Sequence, residues 1–144
     1  MSSAIDVAVI GVGLVGSAVL KQLATVPSLS ALKVVALQNS RKTLLAAPGQ
    51  HLALDHWQAQ LETSSSPALS LEQLVSELQA IQAKNRRHIA VVDNTSNDTV
   101  AGFYPSFLRA GFSVVTPNKK AFSGSVDLFS AMEEAKETDA RPLV

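Results

Sequence analysis

At 144 residues, with 47% hydrophobic and 17% charged side chains, the chain has the length and composition of one globular domain. Twelve Lys plus Arg balance twelve Asp plus Glu, so no net field recruits nucleic acid or an anionic membrane, and neither is an expected partner. The lack of cysteine excludes disulfides, thiolate metal sites and a thiol nucleophile from this stretch; no metal site is expected.

No run approaches the roughly 18 continuous apolar residues of a membrane helix. The N-terminus carries Asp6 and lacks the basic flank of a secretory signal, so a cytoplasmic protein is expected. Ile5 to Ile10 is a β-branched apolar run that ends in glycine, as suits a strand covered on both faces. From Leu14 to Thr25 the spacing of Val15, Ala18, Val19 and Leu23 predicts a helix with those residues inward, closed by Pro27. Lys33 to Leu37 reads as a second strand and completes a βαβ unit.

Between Pro48 and Pro67 the pattern weakens. Trp57 and Leu61 share one short helical face, Ser64 to Ser66 mark a loop, and a solvated surface insertion is the expectation. Ser70 and Gln73 form a capping-box pattern before a helix with the stripe Leu71, Leu74, Val75, Leu78 and Ile81. His88 to Asp93 is a further buried strand. One helix is predicted over Thr99 to Ala110, with Phe103 and Phe107 inward and Gly111 as its stop. Phe112 to Thr116 is a strand ended by Pro117. A last helix follows from about Ser125 to Lys136, and Arg141 to Val144 looks like the start of another strand. The alternation predicts a doubly wound α/β fold, a Rossmann domain with a parallel sheet.

In such folds ligands bind just beyond the carboxyl ends of the strands. Gly11-Val12-Gly13-Leu14-Val15-Gly16 is a GxGxxG fingerprint in its required setting, after a strand and at the opening of an amphipathic helix. Gly11 permits the tight turn, Gly13 lets the backbone approach a pyrophosphate, and Gly16 lets helix pack on strand. The helix N-terminus adds free amides and partial positive charge. These six residues are the expected cofactor-binding turn.

An NAD-selective site usually places Asp or Glu at the end of the second strand, to bond the adenosine ribose. This chain has Gln38-Asn39-Ser40-Arg41-Lys42 there. Ser40, Arg41 and Lys42 could bind a 2′-phosphate by charge-assisted hydrogen bonds, which favours NADP over NAD or tolerates both; a solvated loop pair of Arg41 and Lys42 is the competing reading. After the fourth strand, Asn94, Thr95 and Ser96 are small hydrogen-bonding residues suited to a nicotinamide ribose. Asp93 serves equally well as a structural acceptor, and the same loop could cap the next helix. After the fifth strand stands Thr116-Pro117-Asn118-Lys119-Lys120. A lysine partly desolvated at a strand end can move a hydroxyl proton, although adjacent loop lysines are usually solvated charges.

Three segments in this order, VAVIGVGLVGSAVL, VVDNTSND with AGFYPSFL, and VVTPNKKAFSG, resemble the homoserine dehydrogenase family, particularly its fungal members. The likeness covers essentially the whole chain and is weakest between Pro48 and Pro67. Many dehydrogenases share the glycine motif, whereas DNTS with TPNKKAF is more specific. The resemblance implies the NAD(P)-binding domain of an enzyme that interconverts L-aspartate 4-semialdehyde and L-homoserine by hydride transfer, in threonine and methionine biosynthesis. It implies that Gly11, Gly13, Gly16 and Thr95 bind cofactor, and that Lys119 lies at cofactor and substrate and helps proton transfer. It further implies that Asn39, Ser40 and Arg41 form an NADP-type adenosine pocket. Family members continue into a catalytic and dimerisation domain, so a homodimeric parent enzyme is expected, with the 144-residue chain inactive alone. Two other readings stay open: the cofactor domain of another NAD(P)-dependent dehydrogenase, and a non-catalytic NAD(P) sensor.

Overall fold

The computed structural model describes residues 4–95 and 97–116. Ile5–Ile10 forms the first strand, β1, and every one of its residues is buried. Apart from Asp6 the run is apolar and has no face to give to water, and β1 accordingly lies in the middle of a five-stranded sheet. Helix α1, Leu14–Thr25, follows the glycine turn and buries Gly16, Val19, Leu20 and Leu23. Val15 and Ala18, expected inward, are exposed. The reason is steric: Gly16 is pressed against the turn, and the buried face is counted from it. Val26 then leaves the helix in extended geometry, and a 3₁₀ turn over Pro27–Leu29 tucks Leu29 into the core.

Strand β2, Leu32–Gln38, pairs parallel to β1 with a bulge, because Val7 faces Val34 while Ala8 faces Ala36. Val34 and Leu37 therefore fall on one side of the sheet, and Val35 and Ala36 on the other. Strand β3, Thr43–Leu45, runs antiparallel to β2 at the sheet edge. It adds an antiparallel edge to the expected parallel sheet, whose other strands pair in parallel; three residues are too few to show a strand period, and the chain simply turns back as a hairpin. Asn39 shapes that hairpin, its Oδ1 accepting from the amides of Arg41 at 2.8 Å and Lys42 at 2.6 Å.

The segment after β3 is no solvated insertion. The Leu52 amide donates to the Val34 carbonyl at 2.7 Å, and helix α2, Trp57–Glu62, buries Leu61 to 2% exposure with half-buried Trp57 beside the same core. Its apolar residues are too irregularly spaced to show this burial in advance. Helix α3, Leu71–Asn85, starts with the expected capping box between Ser70 and Gln73 and buries Leu74, Leu78 and Ile81. Strand β4, Ile89–Asp93, pairs parallel to β1, and β5, Ser113–Val115, parallel to β4. Between them the single predicted helix is two: α4, Asp98–Gly102, and α5, Tyr104–Arg109. Pro105 has no amide to offer the preceding turn, so the helical ladder breaks at Phe103. Phe103 and Phe107 still meet edge to face, with centroids 5.2 Å apart.

The sheet order is β3-β2-β1-β4-β5. Helices α1 and α2 cover one face; α3, α4 and α5 cover the other. From β1 the chain goes to β2 on one side and later crosses to β4 on the other, so a crevice opens at the carboxyl ends of β1 and β4. At the opposite end of the sheet, fully buried Asp6 accepts from Asn85 Nδ2 at 2.9 Å. Its other oxygen lies 3.0 Å from Arg87 Nε without hydrogen-bond alignment, a Coulombic contact that offsets the burial of its charge.

The packing of α1 is testable. A Cβ at Gly16 would lie 2.2 Å from the Gly11 carbonyl oxygen, whereas one at Gly13 meets nothing within 4 Å. Gly16→Ala should therefore destabilise the chain by about 1–3 kcal/mol despite alanine's better helix propensity. Gly13→Ala should cost less. Urea midpoints measure the pair, and equal losses would contradict this packing.

Candidate functional site

The glycine turn is held from two sides. Gly11 adopts φ +89°, a region that only glycine enters without strain. Its amide donates to the Gln38 carbonyl at 2.8 Å, and its carbonyl accepts from Asn94 Nδ2 at 3.3 Å. Gly13 caps α1 with no side chain bonded to the helix end and no acidic residue in the first turn. The first amides of a twelve-residue helix are thus left facing the crevice, with their partial positive charge. Leu14, 93% exposed, and Val15, 50% exposed, form an apolar lip beside them.

A cleft of about 490 Å³ runs from this turn to the β2–β3 hairpin, with Gly11, Val12, Gly13, Ser40, Arg41 and Thr95 among its walls. The structure therefore brings together residues that the sequence places 84 positions apart. Asn39 lines the cleft too, but its side-chain oxygen is already spent on the hairpin amides. Ser40 and Arg41 are exposed at its rim. Lys42 is not among the lining residues of this cleft, and its Nζ donates to the Ser64 carbonyl at 2.8 Å. Gln38, where an NAD-selective site would carry an acid, is buried. Its Nε2 donates to the Leu69 carbonyl, and its Oε1 accepts from the Thr43 hydroxyl and the Leu69 amide. It is a clasp that ties the hairpin to the start of α3. Nothing in its sequence spacing announces that role.

At the end of β4, Asp93 is 2% exposed and satisfied: Oδ1 accepts from the Thr95 amide at 2.8 Å and the Thr95 hydroxyl at 2.6 Å, and Oδ2 accepts from the Tyr104 hydroxyl. This is the structural-acceptor role of Asp93. Asn97 Oδ1 caps α4 by accepting from the amides of Thr99 and Val100. No local sequence pattern links Tyr104 to an aspartate eleven positions earlier. Asn94 Oδ1 is buried without a partner among the described residues. An open glycine turn, an uncapped helix end and an orphaned acceptor fit a phosphate-bearing ligand with hydroxyl or amide donors. Ser96 and Lys119, with the helix and strand predicted after Pro117, lie outside the described residues. Among the described residues no cluster of three His, Asp or Glu could hold a metal ion, and no helix is long and apolar enough to cross a membrane.

The family described as homoserine dehydrogenase, NAD binding domain, matches residues 11–144. The homoserine dehydrogenase of Saccharomyces cerevisiae is 36% identical over 136 residues, covering 94% of this chain and 37% of that enzyme. That of Emericella nidulans is 40% identical over 146 residues, covering 94% and 38% respectively. A solved Candida auris protein of unknown function superposes with a TM-score of 0.67 at 34% identity, over 97% of this chain and 38% of that one. The chain thus spans less than two fifths of the length of these relatives.

Burial, reinforced by the hydrogen bond to Asp93, pushes the Tyr104 phenol up to about 12, with a Thr116 hydrogen bond acting the other way. Tyr104 is the chain's single tyrosine, so ultraviolet titration reads it alone. The phenolate band should appear near pH 12 instead of near 10. Because the folded value is the raised one, the stabilisation is complete below about pH 10 and is lost as pH rises toward 12. An ordinary midpoint near 10 in the folded chain would contradict the buried pairing.

Proposed function

The chain belongs to the homoserine dehydrogenase NAD-binding family, and on that premise we propose that it binds NADP(H) in preference to NAD(H) for the interconversion of L-aspartate 4-semialdehyde and L-homoserine. The observation that carries the reading is the cleft running from the open Gly13 backbone to the exposed Ser40 and Arg41, with neutral Gln38 at the end of β2.

The bound cofactor supplies the hydride. The chain's own residues bind and orient it. Gly11 to Gly16 and the first amides of α1 take the pyrophosphate, with Val12 on the cleft wall and the apolar lip of Leu14 and Val15 excluding water at the helix end. Ser40 and Arg41 take the 2′-phosphate, on the hairpin that Asn39 shapes. Asn94 Oδ1 offers its unused lone pairs, and Thr95 and the residue next to it in sequence, Ser96, are assigned to the nicotinamide ribose. Lys119, assigned by resemblance, moves the hydroxyl proton. The crevice is open, so substrate orientation comes from outside the described residues. The parent enzyme is a cytoplasmic homodimer of threonine and methionine biosynthesis.

Four measurements test this. Gly13→Val should abolish NADPH binding by calorimetry in a chain whose circular dichroism is unchanged; unaltered affinity would put the ligand elsewhere. Arg41→Ala should weaken NADP(H) roughly tenfold or more, the scale of one charge-assisted bond, and NAD(H) far less. Equal losses would refute the 2′-phosphate assignment. In a homoserine-dependent NADP⁺ reduction assay the 144-residue chain should show no turnover. In an enzyme that includes this domain, Lys119→Ala should depress kcat while cofactor affinity holds.

A further inference from the structure

Asp93 links the loop after β4, the start of α5 and the end of β5. Its Oδ1 is filled by the Thr95 amide and hydroxyl, and its Oδ2 by Tyr104. Its backbone carbonyl accepts from the Thr116 hydroxyl at 3.0 Å, at the end of β5. The Thr95 hydroxyl oxygen in turn accepts from the Asn97 amide at 3.2 Å, and Asn97 caps α4. Thr95 also packs under the glycine turn, its Cγ2 only 2.9 Å from where a Cβ on Gly11 would be. A carboxylate terminus has a broad torsional preference, so packing alone leaves it free to turn. Two donors from Thr95 hold one oxygen. Among the described residues only the Tyr104 hydroxyl is bonded to the other, and without it a buried oxygen is left to reorient or to draw in water.

We propose that Tyr104 is a positioning residue for cofactor binding: by bonding Asp93 Oδ2 from the start of α5, it fixes the carboxylate that holds Thr95 against the glycine turn. It touches no reacting group itself and acts through Asp93. The inference rests on the reading of this crevice as a nicotinamide-cofactor site, and it adds a residue on a different helix to that site. Tyr104→Phe keeps the ring and removes only the hydroxyl, with its bonds to Asp93 and Thr116.

The test measures NADPH affinity, the thermal midpoint and the Thr95 amide resonance of the 144-residue chain, as wild type and Tyr104→Phe. NADPH should bind about tenfold more weakly to the variant, the scale of one bond to a charged group, and the Thr95 amide should shift before any cofactor is added. Asp93→Asn should weaken binding likewise, and the double variant should lose less than the sum of the two, since both act on one contact. A lowered thermal midpoint with unchanged NADPH affinity and an unmoved Thr95 amide would make Tyr104 merely structural and overturn the proposal. Should Tyr104→Phe not fold, incorporation of 3-fluorotyrosine labels this one position without removing the hydroxyl. Its fluorine resonance should move on saturation with NADPH and stay put in Gly13→Val; an unmoved resonance at saturation overturns the coupling. Absence of NADPH binding by the wild-type chain would sink the cofactor reading and this inference together. A Thr95 amide that is insensitive to Tyr104→Phe sinks the inference alone.

Discussion

The first turn of α1 descends onto the carbonyl of Gly11 until no atom larger than hydrogen fits on Gly16, where a Cβ would be 2.2 Å from that oxygen. Much of the site follows from this contact. The helix has one rotation about its axis that puts residue 16 inward, and that rotation buries Val19, Leu20 and Leu23 while turning Leu14 and Val15 out to the mouth of the crevice. The turn beneath cannot relax, because Gly11 is held at positive φ by bonds to Gln38 on one strand and Asn94 beyond another. A helix end pinned so closely to two strand ends keeps its unpaired amides aimed at one place, which is what recognition of a phosphate requires.

The strand ends that flank β1 carry the two buried polar groups on which the cleft depends, and they differ in charge. Gln38 ends β2 as a neutral group with both its amide oxygen and its amide nitrogen bonded, so the hairpin rim presents Arg41 with no carboxylate from Gln38's position beside it. Asp93 ends β4 as an acid, and its oxygens are turned to Thr95 and Tyr104. Each residue spends its hydrogen-bonding capacity inside the protein, as burial demands. Each thereby fixes a loop that lines the cleft. The bulge in β2 contributes to the same end: by adding Val35 it brings Gln38 level with Ile10, and so brings the Gln38 carbonyl to the amide of Gly11.

Much of this was legible in the sequence, for reasons that can be stated residue by residue. The bounds of β1 and α1, the capping box of Ser70 and Gln73, and the glycine turn all come from interactions among residues a few positions apart. So does family membership, which rests on runs of adjacent residues and needs no contact between them. What only the tertiary structure decided involves partners far apart along the chain. Leu61 is in the core because the segment after β3 folds back over β2. Lys42 is bonded to the Ser64 carbonyl, twenty-two positions on. Gln38 meets Leu69 across thirty-one positions, and Asn94 meets Gly11 across eighty-three. Local propensity is summed over neighbours and cannot weigh such pairs. Their formation waits on the closing of the sheet, which sets, for each strand-end residue, whether it turns to a partner inside or to the crevice.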